Sequence, residues 1–76
     1  MNQEIIEFIE NTVGNKIENQ EMDLLDQGIL DSLEAISLIV SLEKKFTIKF
    51  SFADYSKPGF FSLTNIVETI NKGKKQ

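Results

Sequence analysis

Residues 28–46 read GILDSLEAISLIVSLEKKF. A glycine and two aliphatic residues lead into Asp31-Ser32, and an apolar-rich run follows at once to Phe46. The polar positions Glu34, Ser37, Ser41 and Lys44 or Lys45 recur at helical spacing and form one narrow stripe. Leu33, Ala35, Ile36, Leu38, Ile39, Val40, Leu42 and Phe46 occupy the rest of the circumference. The spacing predicts a helix from Asp31 or Ser32 to about Phe46, with an apolar arc wider than one packing face needs. Such a helix is either surrounded by neighbours or leaves apolar surface for a partner or a bound chain. Asp31 stands three residues ahead of Glu34, a capping-box pattern with Asp where Ser or Thr is usual, and Gly28 supplies the turn before it.

Outward from this stretch, Ile5, Ile6, Ile9 and Val13 lie at helical spacing opposite Glu4, Glu7 and Glu10, which predicts an amphipathic helix over roughly residues 3–13. Gly14-Asn15 stops it, since both residues tolerate the left-handed backbone of a helix end. About sixteen mostly polar residues follow, long for a loop in so short a chain, and Leu24-Leu25 should pin them to the core. Beyond Phe46, TIKF at 47–50 alternates like a strand but has no evident pairing partner, so an extended connection is expected. Ser51 and Asp54 form a second capping box, and Lys57-Pro58-Gly59 ends the short helix it starts. Ser62 caps a last helix with Leu63, Ile66, Val67 and Ile70 on one face, and Phe61 is placed to staple onto Ile66. The expected fold is all-α: a small four-helix bundle of three principal helices and one short one. Residues 1–76 are expected to form one domain, with 72–76 a frayed, solvated tail.

Composition narrows the function. The chain has no cysteine and no histidine, which removes a thiolate nucleophile, disulfides, the commonest general base and the commonest zinc ligand. An enzyme is the poorest reading, because nothing assembles a nucleophile and a base. The net charge of −4 is unevenly placed: residues 1–43 hold ten acids against Lys16 alone, and residues 44–76 hold seven lysines against Asp54 and Glu68. The acidic half repels nucleic acid and steers basic partner surfaces toward it. No basic and apolar leader and no apolar run long enough to span a bilayer is seen, so a cytoplasmic location and no stable membrane insertion are expected.

Three readings of the stretch around Ser32 compete. A capped amphipathic helix accounts for the local pattern by itself. A calcium loop starting at Asp23 places Gly28 sixth, Leu30 eighth and Glu34 twelfth, but the third position is Leu25, which has no oxygen to give a hard cation, and the fifth is Gln27. The third reading takes the whole stretch together. Asp31-Ser32-Leu33 behind Gly28 and ahead of Leu42-Glu43-x-x-Phe46 resembles the acyl and peptidyl carrier protein family, and the likeness covers nearly the full chain.

That resemblance implies that the Ser32 hydroxyl is joined to phosphopantetheine from coenzyme A, with Asp31 as helix cap and motif residue. It implies a docking face at Leu33, Glu34, Ile36, Val40 and Glu43, and leaves Leu38, Ile39, Leu42 and Phe46 to the core. The implied role is that of a monomeric acyl carrier protein that holds acyl or aminoacyl groups as thioesters in fatty acid or secondary metabolite biosynthesis. Its partners would be a phosphopantetheinyl transferase, an acyl- or aminoacyl-loading ligase, and a downstream acyltransferase or synthase. The approach GILDS is also similar to D-alanyl and other aminoacyl carriers loaded by a dedicated adenylating ligase. Ser37, Ser41, Lys44 and Lys45 stand where fatty-acid carriers are usually acidic, which suits a specialised carrier better than a general one. The rival from another class is an unmodified helical module that grips a partner helix with its wide apolar arc.

Overall fold

A computed structural model describes residues 2–74. Its elements are α1 (Asn2–Val13), α2 (Ser32–Phe46), α3 (Phe52–Tyr55) and α4 (Leu63–Lys74), and no strand occurs among the described residues. The helical bundle expected from the periodicity is therefore the observed fold, and residues 47–51 form a connection rather than a strand. Of the tail expected at 72–76, residues 72–74 form the last turn of α4. The remainder of that tail, residues 75 and 76, lies outside the described residues.

The core is built from one face of each long helix. Ile5 and Ile9 of α1, Leu38 and Leu42 of α2, and Leu63, Ile66 and Ile70 of α4 are fully shielded from solvent. Ile6 and Val13, expected beside them, are only half-buried. The connections contribute as much as the helices. Ile17, Leu24 and Leu30 enter the core from the long loop, and Phe50, Phe60 and Phe61 enter it from the segments flanking α3. The aromatic rings meet edge to face: Phe50 with Phe60 at 5.6 Å, Phe60 with Phe61 at 5.1 Å, and Phe8 of α1 with Phe46 of α2 at 5.9 Å. Phe61 and Ile66 are both buried on either side of Ser62, whose hydroxyl accepts from the Asn65 N–H at 3.2 Å.

The long loop is held down at Asp23. One carboxylate oxygen accepts from the N–H groups of Leu25 and Asp26, and the other from the N–H of Phe61 at 3.3 Å. The Leu24 N–H donates in turn to the Phe61 carbonyl at 3.1 Å. Thr64 repeats the link three residues further on, its N–H donating to the Gln20 carbonyl and its hydroxyl to Glu21. The residue that headed the calcium reading thus spends both oxygens on backbone donors, and the loop it organises is a splint between α1 and α4. Gly28, at φ 73°, then turns the chain toward Asp31, a conformation that glycine adopts without the cost a side chain would add. This splint is what delivers the start of α2 to a defined place at the surface.

Candidate functional site

The site grows from the cap of α2. Asp31 has extended backbone, and its carboxylate accepts from the Glu34 N–H at 2.8 Å. Glu34 returns the interaction, its carboxylate accepting from the Asp31 N–H at 2.9 Å. The Asp31 carbonyl accepts from Ala35 and opens the helical ladder. Ser32 and Leu33 occupy the first two helical positions, and their N–H groups find no acceptor among the described residues. Ser32 is exposed, and its hydroxyl makes no hydrogen bond among the described residues. A free hydroxyl therefore sits beside two free N–H donors, at the end of a helix where the backbone dipoles favour negative charge.

A complete capping box does not by itself mark a site. Ser51 and Asp54 make the same reciprocal pair at α3, at 3.2 and 2.8 Å, and there the first helical residue is Phe52. What distinguishes α2 is a hydroxyl in the first helical position and the surface that continues from it. Leu33 is 79% exposed, Ile36 52% and Val40 45%, so an apolar stripe runs along α2 from Ser32. Ala35, Leu38, Ile39, Leu42 and Phe46 take the inward side. The wide apolar arc is thus split between core and solvent.

The remaining residues singled out from the sequence divide differently. Glu34 is exposed but has one oxygen committed to the cap. Glu43 is half-buried, and its carboxylate accepts from the Phe50 N–H at 2.9 Å, so it is not simply a rim charge. Phe52 was missed: its ring is 73% exposed and lies edge to face with Tyr55 at 5.6 Å. The available signal was the brevity of α3, since a helix of one turn buries little, and none of its residues is fully buried.

Comparison with known proteins shows the family. The family model described as a phosphopantetheine attachment site matches residues 3–71, and the chain belongs to that family. It is accordingly a carrier rather than an enzyme, with covalently attached phosphopantetheine as its cofactor. Its partners are, in general terms, a transferase that installs the cofactor and a ligase that loads it. The chain is similar to the D-alanyl carrier proteins of Streptococcus pyogenes serotypes M5 (strain Manfredo), M49 (strain NZ131) and M1. Each is 36% identical over 55 residues, which cover 72% of this chain and 70% of the relative. No helix among the described residues is long and apolar enough to cross a membrane.

Proposed function

We propose that Ser32 is the attachment residue and that the carried group is an amino acid, with D-alanine the first candidate. The observation that carries the attachment is the exposed Ser32 hydroxyl beside the N–H groups of Ser32 and Leu33, which have no acceptor among the described residues. A phosphodiester there accepts hydrogen bonds from the backbone and lies in the favourable field of the helix end. The Asp31 and Glu34 carboxylates, each already accepting an N–H, hold that turn rigid. In the modification the Ser32 oxygen bonds to the pantetheine-bearing phosphorus of coenzyme A, and the diphosphate P–O bond breaks to release adenosine bisphosphate. The hydroxyl proton leaves to a base of the transferase. The arm, once bound, supplies the terminal thiol that a cysteine-free chain lacks, and with it thioester chemistry.

The amino acid cargo is supported by the D-alanyl carrier relatives and by the stripe of Ser37, Ser41, Lys44 and Lys45 on α2. A loading enzyme that engages this helix meets hydroxyls and lysines rather than a row of acids, and charge at a docking rim selects partners mainly through association rate. Leu33, Ile36 and Val40 form the centre of the docking face, with Glu34 and Glu43 at its rim. The reading takes residues 1–76 as one carrier domain, monomeric and cytoplasmic, where coenzyme A and adenylating ligases act. A transferase, an aminoacyl ligase and a downstream acyltransferase or synthase dock in turn, while tethering raises the local concentration of the cargo.

The test is intact mass after incubation with coenzyme A and a phosphopantetheinyl transferase. One phosphopantetheine should add to the chain, and none to Ser32→Ala. An adduct that survives this substitution, or none with a competent transferase, rejects the assignment. Loading of the modified chain by adenylating ligases supplied with D-alanine, other amino acids or fatty acids then decides the cargo.

A further inference from the structure

Beside Ser32, on the side facing α1, lies a groove of about 240 Å³ between the last turn of α1 and the first turns of α2. Val13, Ile29, Leu30 and Leu33 form its apolar wall. Its polar rim is Thr12, Glu34 and Ser37. The rim has hydrogen-bonding capacity to spare: the Ser37 hydroxyl has no partner among the described residues, and Glu34 uses one oxygen on the Asp31 N–H. Thr12 donates to the Phe8 carbonyl and keeps its lone pairs.

Resting on Ser32 as the attachment residue, we infer that this groove is the seat of the proximal, pantoyl end of the phosphopantetheine arm. Three observations converge on that occupant. Leu33 and Glu34, the two residues following Ser32, are part of the lining, so a group bonded to Ser32 begins at the groove's edge and its local concentration there is high. The pantoyl unit carries two methyl groups on one carbon beside a hydroxyl and an amide, which matches an apolar wall with a short polar rim. Extent is the third: the lining spans only the last turn of α1, the end of the long loop and the first turns of α2, so the groove takes the base of the arm and leaves the distal amide and the thiol free to reach a partner enzyme.

Methyl-labelled protein carrying an unlabelled arm tests this in the full chain by NMR. Amide shifts should change at Thr12 and Val13 between unmodified and modified forms, although these two residues lie far from Ser32 in sequence. Isotope-filtered contacts should join the arm's paired methyls to those of Val13, Ile29, Leu30 or Leu33. A mass increase on Ser32 with shift changes confined to residues 28–37, or with no such methyl contacts, overturns the groove and leaves the carrier reading standing. Shifts in the groove that arise only when a partner enzyme is added assign it to that partner and likewise overturn the inference. Failure of the chain to take the arm on Ser32 overturns both.

Discussion

The carboxylate of Glu43 accepts a hydrogen bond from the backbone N–H of Phe50, seven residues onward, at 2.9 Å. Glu10 does the same for Ile17, again seven residues onward, at 2.8 Å. The two glutamates also use their carbonyls alike. That of Glu10 receives the N–H groups of Gly14 and Asn15, and that of Glu43 those of Thr47 and Ile48. Each helix ends on a left-handed residue, the chain reverses, and an apolar residue drops into the core with its N–H held by the glutamate it has left behind. Replacing Glu43 by Ala removes the acceptor from a part-buried N–H and should destabilise the fold by about 1–3 kcal/mol. Glu43→Gln keeps an acceptor and should cost less. Urea unfolding monitored by circular dichroism measures both, and a neutral Glu43→Ala would return this residue to the surface rim.

The two reversals differ in one respect. Gly14 meets its positive φ without a side chain, whereas Thr47 adopts φ 55° with a branched one. For an L-residue that region costs about 1–2 kcal/mol, and glycine gives back roughly 0.5–1 kcal/mol of that through the freedom it adds to the unfolded chain. Thr47→Gly should therefore raise the stability modestly, by up to about 1 kcal/mol. A lower denaturation midpoint in the glycine variant would show that the threonine side chain makes contacts that outweigh its backbone conformation.

Asp31 combines a structural role with a place in the attachment motif, and two substitutions separate them. Asp31→Ala removes the acceptor for the Glu34 N–H and should cost about 0.5–2 kcal/mol. Asp31→Asn caps nearly as well, so its stability should stay close to the parent's. Any loss of modification rate in the stable asparagine variant then belongs to recognition by the transferase rather than to folding. Equal loss of rate and stability in both variants would reduce Asp31 to a cap.

Ile36 and Phe46 lie on the same helix and make opposite predictions. Ile36 is 52% exposed, and Ile36→Ala should change stability by no more than about 0.5 kcal/mol. Its loading by a cognate ligase should nonetheless slow about tenfold or more if the side chain is central to docking. Phe46 is 6% exposed with the Phe8 ring against its edge, and Phe46→Ala should cost about 3–5 kcal/mol. That is a large share of the stability of a domain this size, so the variant should be partly unfolded on mild warming. Loading kinetics beside thermal melts distinguish the two roles.

What the sequence determined by itself is local. The caps at Asp31, Ser51 and Ser62, the start and stop of α2, and the inward faces of α1 and α4 all rest on residues within one or two turns of each other. A capping box closes over three residues, and an amphipathic face repeats every three or four, so the pattern is complete before the chain folds. The family resemblance around Asp31-Ser32-Leu33 was legible for the same reason. Helical periodicity left open which part of α2's wide apolar arc faces water, and only the family resemblance set Leu33, Ile36 and Val40 apart from Leu38, Ile39, Leu42 and Phe46. Leu33 and Leu38 are the same residue type, yet one is 79% exposed and the other fully buried, because burial depends on what distant segments bring alongside. The tie between Asp23 and Phe61 spans 38 residues, and the core positions of Phe50 and Phe60 follow from how α3 is flanked, so neither has a short-range signal. The groove beside Ser32 is of this kind too. Its walls come from α1, the long loop and α2, segments that only the folded chain brings together.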